Sequence, residues 1–179
     1  MLLAVFFMVL GAFLLFLDTT IRRYYSDFYR KREPYYAAPV ALQSNRLFLR
    51  NDRYGKGYFG ASRNGGRTHQ GIDLKSPMRG PVLAAKSGRV AVVAEDKGYG
   101  KFIVLMHPDG LKSFYAHLLD FNVREGEWVN QNQCLARTGK TGNAANPRMS
   151  PHLHFEIRQG DRSLNPLDPH FLNPAIPVE

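Results

Sequence analysis

Two patterns of apolar residues divide the chain. The first is a run from Leu2 to Leu17 that contains no charged residue. After residue 50, apolar positions occur instead in short runs that alternate with glycine, proline and asparagine. A long apolar run is typical of a membrane-crossing helix or a signal sequence, and short runs between turn residues are typical of β-strands. The chain is therefore predicted to contain one N-terminal helix followed by a β domain.

The domain is predicted to be mostly β, with an antiparallel sheet. The Asp109-Gly110 pair between two apolar runs indicates a hairpin, and Lys97 to Gly100 marks another turn. No segment after residue 50 has a clear helical period. The tail from Leu164 contains four prolines and is expected to be irregular. The predicted strands are Val82–Ala85, Gly88–Ala94, Phe102–His107, Lys112–His117, Trp128–Val129, Cys134–Arg137 and His152–Arg158.

The N-terminal run predicts a transmembrane anchor over residues 1–21. As a helix, Leu2 to Leu17 would span about 24 Å, slightly less than a ~30 Å hydrocarbon core, and the following residues could extend it. A cleaved signal peptide is the alternative, but no clear small-x-small site follows the run. Residues 22–50 are predicted to form a juxtamembrane stalk that breaks near Pro34 into a linker, and residues 51–179 to form the globular domain.

Composition and charge narrow the possible functions. The formal net charge of +9 would suit nucleic acid, anionic lipid or an anionic polymer such as a cell wall. No nucleic-acid-binding motif accompanies this charge, so we expect no nucleic-acid partner. The single cysteine, Cys134, excludes an intramolecular disulfide and any site built from several thiolates. Its apolar neighbours predict that it is buried in a strand.

The pair His152 and His154 is a candidate site because of its spacing. Residues two apart on a strand point to the same face, ~6.6 Å from each other. Both imidazoles would then face one cleft, while Leu153 points the other way. The alternative is two solvent-facing histidines, and by itself the pair is weak evidence for a metal site.

The pair His69 and Asp73 is a second candidate. On an extended strand these residues would lie ~13 Å apart, which is too far to share one ion. A bend at Gly71 would bring them together, and zinc accepts both imidazole nitrogen and carboxylate oxygen. A loop histidine beside a turn-capping aspartate is the alternative.

His117 ends a predicted strand, where a catalytic group or a half-buried structural histidine could lie. Taken together, the candidate residues can supply three nitrogen or oxygen ligands with an open fourth position, which is typical of a catalytic zinc site. Two further histidines could then act as base and stabilising donor.

The order of several motifs resembles the lysostaphin-type, or LytM-domain, zinc metallopeptidases that cut peptidoglycan cross-links. The similarity runs from about Gly57 to Pro169. Its blocks are His69-x-x-x-Asp73, Gly80-Pro81-Val82-x-Ala84, Ser87-Gly88-Arg89-Val90, Tyr99-Gly100, His107-Pro108-Asp109-Gly110, Tyr115-Ala116-His117-Leu118, Val123-x-x-Gly126, Gly139-x-Thr141-Gly142 and Pro151-His152-Leu153-His154-Phe155-Glu156.

The resemblance implies that His69, Asp73 and His154 bind one Zn²⁺ per chain and that His117 and His152 are catalytic. It does not say which of the two catalytic histidines is the general base. It implies a metalloendopeptidase with an antiparallel sheet groove that binds peptidoglycan stem peptides or cross-bridges. Family members that lack these residues often activate other wall hydrolases, so a non-enzymatic regulator is the alternative. A zinc peptidase that cuts a glycine-rich protein is a further one.

The resemblance also implies a location. We expect a single-pass protein of the bacterial cytoplasmic membrane whose catalytic domain faces the periplasm or cell wall. The charges disagree, because five basic residues follow the apolar run and the positive-inside rule would place the domain in the cytoplasm. A start codon assigned too late would remove this conflict. The basic residues are Arg22, Arg23, Arg30, Lys31 and Arg32.

Overall fold

The computed structural model describes residues 2–179, apart from the side chains of residues 2–6 and 64. Within these residues it contains one α-helix, two short 3₁₀ turns at Asn64–Gly66 and Gly142–Ala145, and eleven strands. The elements are α1 Leu2–Arg32, β1 Asn51–Asp52, β2 Gly55–Lys56, β3 Ile72–Lys75, β4 Pro81–Leu83, β5 Gly88–Asp96, β6 Gly100–Met106, β7 Lys112–Leu118, β8 Trp128–Val129, β9 Cys134–Arg137, β10 His152–Gln159 and β11 Arg162–Leu164.

Seven strands form one antiparallel sheet in the order β11-β10-β7-β6-β5-β8, with β3 also paired to β10. The other pairs, β4–β9 and β1–β2, are antiparallel as well. The mostly β, antiparallel fold predicted from the sequence is therefore confirmed. Each predicted strand is present with bounds shifted by a few residues, and the Asp109-Gly110 turn joins β6 to β7.

Strand alternation separates the core from the polar face of the sheet. On β10 the side chains of Leu153, Phe155 and Ile157 are buried in the hydrophobic core. Ile72 and Leu74 of the neighbouring strand β3 join the same core. Because successive side chains of a strand point to opposite faces, the remaining residues of both strands lie together on the other face. The buried ones among them are Asp73, His152, His154 and Glu156.

The core extends before the domain start that was predicted at residue 51. Tyr36, Val40 and Leu47 lie within it at 1–2% exposure. The backbone of Tyr36 bonds to Phe171, and that of Leu47 bonds to the C-terminal segment. Part of the predicted linker is therefore packed against the proline-rich tail. Burial of a large apolar side chain stabilises the fold by roughly 1.5–3 kcal/mol, so these residues belong to the folded body.

Helix α1 ends at Arg32, two residues before Pro34, where the sequence predicted a break. The Glu33 carboxylate accepts hydrogen bonds from the backbone N–H and the hydroxyl of Ser87, and the Tyr29 ring packs on Trp128. In the part of the chain whose side chains are described, no helix is both long and apolar enough to cross a membrane. The transmembrane anchor predicted over residues 1–21 is thus not supported, and its residues 1–6 lie outside that part.

Cys134 differs from its prediction. It lies in a strand, β9, but its side chain is exposed. The strand is only four residues long, and its buried positions are the two central ones, Leu135 and Ala136. A short apolar run predicts a strand, but it does not say which residues at the strand ends remain exposed.

Candidate active site

Three ligand atoms meet between strands β3 and β10. His69 Nε2 lies 3.0 Å from His154 Nδ1 and 3.0 Å from Asp73 Oδ1. His154 Nδ1 lies 2.9 Å from the same carboxylate oxygen. All three residues are buried, at 3–7% exposure. The structure therefore brings together the three residues that the sequence predicted as a set of metal ligands, and they form a group that could hold a metal ion.

Hydrogen bonds on the far side of each imidazole determine which atoms face the centre of this cluster. His69 Nδ1 lies 2.9 Å from the carbonyl oxygen of Tyr58, and His154 Nε2 lies 2.8 Å from Glu156 Oε1. Neither partner can donate, so each of these nitrogens carries the proton of a neutral ring. His69 Nε2 and His154 Nδ1 then present lone pairs to each other and to Asp73. Three acceptors at such distances repel one another unless a cation lies between them.

The charged groups around His154 also favour a positive charge at the centre of the cluster. Burial opposes a charge on His154, but its contacts with Asp73 and Glu156 outweigh burial and raise its pKa to about 9. Burial likewise opposes ionisation of Asp73, yet the contacts with His154 and His69 hold its pKa well below the usual range. A single proton can bridge only one pair of these acceptors. A divalent cation can bind all three, and imidazole and carboxylate suit zinc.

A bend at Gly71 makes the His69–Asp73 contact possible. Residue 71 lies in a bend immediately before β3, as the spacing argument required. A Cβ at this position would lie 2.4 Å from the carbonyl oxygen of Phe155 and 2.7 Å from Glu156 Cγ. Only glycine lets the bend lie this close to β10. Register then completes the cluster, because Asp73 is directly opposite His154 in the β3–β10 pair.

His117 and His152 lie beside the ligand cluster. Their ring centroids are 5.0 Å apart, and the His117 ring is 5.9 Å from that of His154. His117 Nδ1 donates to the carbonyl oxygen of Thr141 at 3.0 Å, and His152 Nδ1 donates to that of Ser150 at 2.8 Å. Each neutral ring therefore retains an unprotonated Nε2. The structure brings both predicted catalytic histidines next to the predicted ligands.

Burial keeps these two rings neutral at pH 7. Burial and the neighbouring His154 and His152 lower the pKa of His117 to about 3. Burial is also the main cause that lowers the pKa of His152 to about 4. Both Nε2 atoms can therefore accept a proton, and either ring would release that proton readily.

The backbone of His117 is in an unusual conformation. Its φ is +62°, in the left-handed region that non-glycine residues seldom adopt. Backbone bonds on both sides hold it there, from His117 N to Tyr99 O and from Gly139 N to His117 O, each 2.9 Å long. Such strain costs roughly 1–3 kcal/mol and is concentrated at functional sites. The sequence indicated a strand end here, and the strain marks the residue more specifically.

Three further residues that contact the site were not predicted from the sequence. Glu156 is fully buried and accepts hydrogen bonds from His154, Tyr99 and Arg158. Its position two residues after His154 on a strand was a usable signal, because it places a carboxylate on the same face. Arg50 and Arg63, which contact Asp73, had no such signal. They lie 23 and 10 residues before it in loops and short hairpins.

Four glycines lie in residues 57–66, before His69, and their surroundings differ. Gly57 is tightly packed, because a Cβ there would lie 2.6 Å from the Arg50 carbonyl oxygen and 2.8 Å from that of Asp73. Gly60, Gly65 and Gly66 have positive φ and open space around them. Gly57 is thus part of the support of the site, and the other three lie in its adjoining loop.

The chain belongs to a known family of peptidases. Residues 67–166 match the model of peptidase family M23. These residues include all five of the predicted site residues. The LytM-type fold expected from the sequence is confirmed, together with the antiparallel sheet that carries the site.

Two curated relatives differ in their described roles. The chain is 32% identical over 110 residues to the DD-carboxypeptidase/endopeptidase Mpg of Neisseria meningitidis, a match that covers 62% of this chain and 24% of Mpg. It is 38% identical over 110 residues to the murein hydrolase activator NlpD of Escherichia coli, covering 61% of this chain and 27% of NlpD. The chain therefore matches about a quarter of the length of each relative.

A solved structure shares the fold. A zinc-containing peptidase from Vibrio cholerae superposes with a TM-score of 0.57 at 27% identity, covering 69% of this chain and 39% of that one. The family match, the relatives and this structure together connect the chain to peptidoglycan-related proteins and to zinc peptidases.

Proposed function

We propose that this chain is a zinc metalloendopeptidase that hydrolyses peptide cross-links in peptidoglycan. The carrying observation is the geometry of the site: three lone pairs within 2.9–3.0 Å of one another, beside two neutral imidazoles with free Nε2 atoms. His69 Nε2, Asp73 Oδ1 and His154 Nδ1 would hold the zinc ion. The zinc-containing peptidase with the same fold supports this assignment.

The chemistry follows from the protonation states of the site. A bound zinc ion would polarise the scissile carbonyl and lower the pKa of a water molecule. The Nε2 of His117 or His152 accepts a proton from that water. The imidazolium formed is a strong acid because burial disfavours its charge, so it returns the proton to the leaving amine. Before it passes the proton on, the protonated Nε2 of that ring can also donate a hydrogen bond to the developing oxyanion. The two rings are equivalent in this respect.

Peptidoglycan is proposed as the substrate because of the relatives and the net charge of the chain. Mpg is described as a carboxypeptidase and endopeptidase, and NlpD as an activator of murein hydrolases. The net charge of +9 also suits an anionic wall polymer.

The function is tested with the full-length chain and a defined, cross-linked wall peptide. The zinc-loaded protein should cut the peptide, and strong chelation should abolish cleavage. His117→Ala should retain zinc but lose cleavage. The matched control is His170→Ala, which removes an exposed histidine outside the site. Cleavage that survives complete removal of metal would contradict the proposal. Comparison with a glycine-rich peptide separates a wall peptidase from one that acts on protein.

A regulator is the second candidate, because the chain is 38% identical to a murein hydrolase activator over the matched region. In this case the groove would bind and activate another wall hydrolase without chemistry of its own. The regulator hypothesis predicts that His117→Ala remains fully active in cells, whereas the peptidase hypothesis predicts loss of function. The complete constellation of ligands and imidazoles favours the peptidase.

The proposed substrate implies where the catalytic domain acts. We infer that the catalytic domain acts on the periplasmic or wall side of a bacterial cytoplasmic membrane, since peptidoglycan lies there. Attachment to this membrane through residues 1–21 is a separate proposal. Protease digestion of intact spheroplasts tests the side on which the domain lies. Fractionation with alkaline extraction tests whether the chain is attached to the membrane.

A further inference from the structure

The two oxygens of Asp73 have different neighbours. Oδ1 faces the imidazole nitrogens of His69 and His154 at 3.0 and 2.9 Å. Oδ2 points the other way, towards two guanidinium groups, with Arg50 Nη2 at 2.9 Å and Arg63 Nη2 at 3.0 Å. One oxygen is therefore directed towards the candidate metal position, and the other is occupied by two cations.

Arg50 is a fixed part of this arrangement. It is 3% exposed and also forms an ion pair with Asp52 at 2.7 Å. Its backbone N–H bonds to the carbonyl oxygen of Asp73, so backbone and side chain hold the same residue. An arginine is seldom buried unless it is paired. Here, its two carboxylate partners account for the burial.

Arg63 completes the arrangement from the loop that carries the open glycines. Its side chain is 20% exposed, and its Nη1 donates to the carbonyl oxygen of Lys56 at 2.7 Å. Both arginines lie before residue 67, where the match to the peptidase family begins. A segment outside the matched region thus builds the support of a ligand inside it.

We propose that Arg50 and Arg63 are positioning residues that restrict Asp73 to a single metal-ligating oxygen, Oδ1. The proposal rests on the zinc site proposed above. A carboxylate can ligate a metal through one oxygen or both, and hydrogen bonds from ionised donors are roughly twice as strong as neutral ones. Two such bonds on Oδ2 oppose its rotation towards the metal. Zinc is commonly four-coordinate, so three single-atom ligands leave one position free for the reaction.

Loss of Arg63 should therefore raise the affinity for zinc, whereas general disruption of the site would lower it. In Arg63→Met one of the two bonds on Oδ2 is gone and a positive charge is removed from the vicinity of the metal. Asp73 can then ligate through both oxygens, and we expect the affinity for zinc to rise about tenfold. A purely structural role for Arg63 predicts the opposite, because a disordered site binds metal more weakly.

The experiment uses the full-length chain and two readouts. Zinc affinity is measured by competition with a chelating dye, and coordination is measured from the visible spectrum of the Co²⁺-substituted protein. Arg63→Met should bind zinc more tightly and show the weaker absorption of Co²⁺ with a higher coordination number. Arg53→Met is the matched control, since Arg53 is an exposed cation of the neighbouring turn whose hydrogen bond goes to Tyr54. It should change neither readout.

The outcomes separate this inference from the function on which it rests. If the wild-type chain binds neither zinc nor Co²⁺, the proposed metal site is wrong. If the wild type binds metal but Arg63→Met has an unchanged spectrum, or an affinity that is unchanged or lower, the positioning role is overturned and the peptidase proposal stands. Equal changes in Arg53→Met would also overturn it, because the effect would then be one of general charge.

Discussion

Two buried histidines show what distinguishes a reactive site from a structural one. His107 Nδ1 donates to the Ser87 carbonyl oxygen at 3.0 Å, and its Nε2 lies 2.7 Å from the Ser113 hydroxyl. Both nitrogens therefore have neutral partners of the right kind, and burial lowers the pKa of His107 to about 4. His154 is equally buried but has a carboxylate on each side, and its pKa is raised to about 9.

The difference lies in the partners rather than in burial. The hydrogen bonds of His107 are complete without any further group, whereas the ligand cluster of His154 has three acceptors directed at one point. Burial alone would have made the two residues look alike, since both are at most 7% exposed. A buried imidazole becomes a candidate ligand when its outer nitrogen is held by an acceptor and its inner nitrogen lacks a donor.

The largest expected effect comes from removing a ligand. In His69→Ala, zinc affinity should fall by more than about 100-fold, the upper range for loss of a mere supporting residue, and hydrolysis should disappear. The metal-free protein should lose about 3 kcal/mol of stability or less, because one buried ring and its hydrogen bond to the Tyr58 carbonyl oxygen are removed. Zinc competition and denaturant unfolding in chelator measure the two effects. Zinc affinity and hydrolysis equal to those of wild type would contradict the assignment of His69 as a ligand.

The next effect separates chemistry from metal binding. Replacement of His117 by alanine should lower the rate of hydrolysis by roughly 10²–10⁴-fold, the usual contribution of a general acid or base. Zinc affinity should change only a few-fold, because the inner atoms of the ligand cluster are left in place. Single-turnover rates together with metal content test this. A variant that loses its zinc would place His117 among the ligands instead.

A smaller effect is expected from the carboxylate behind His154. Glu156→Gln keeps an acceptor for His154 Nε2 but removes the charge, so zinc affinity should fall by roughly 10–100-fold. The variant also weakens the contact with Arg158. The proton position on His154, read from ¹⁵N shifts of the zinc-loaded protein, should remain on Nε2. A move of this proton to Nδ1 would show that charge, not only geometry, sets the tautomer.

His107 should behave as a purely structural residue. His107→Ala removes two buried hydrogen bonds and a packed ring, and we expect a loss of about 3 kcal/mol in the free energy of unfolding. For a domain of this size, the melting temperature should fall by roughly 6–12 °C. Zinc affinity of the folded protein should match wild type. A selective loss of zinc binding would indicate that His107 is coupled to the ligand cluster.

The smallest effect is a pH dependence of stability. The folded pKa of His107 is lowered from 6.5 to about 4, so between these values the unfolded chain binds a proton that the folded chain does not. The stabilisation is fully present above pH 6.5 and is lost as the pH falls towards 4. At pH 5.5 the loss should be about 1.4 kcal/mol. Denaturant titrations at pH 5.5 and above pH 6.5 measure the free energy of unfolding. This loss of stability at the lower pH should appear in wild type but not in His107→Ala.

Much of the fold follows from local chemistry. The hairpin at Asp109-Gly110 and the alternation of β10 depend on neighbouring residues, which the sequence shows directly. The His152/His154 pair follows from the strand period, and the His69/Asp73 pair from one bend. Strand β3 was not predicted because its four residues form too short a pattern.

Features that depend on distant contacts could not be predicted. The segment from Tyr36 to Leu47 has the composition of a linker, but its few apolar residues pack against the C-terminal tail. Arg50 looks like any surface arginine, and its burial follows from two carboxylates that the fold brings to it. The roles of His152 and His154 remain predictions carried by the resemblance and by the positions of their nitrogens.

One measurement tests the central proposal most directly. The full-length protein, loaded with one equivalent of zinc, is incubated with a defined cross-linked wall peptide, and the products are identified by mass spectrometry. We expect two fragments whose summed mass exceeds that of the substrate by one water molecule, and no products with His69→Ala or after chelation. An intact substrate after incubation with zinc-loaded wild type, or equal cleavage by the His69 variant, would contradict it.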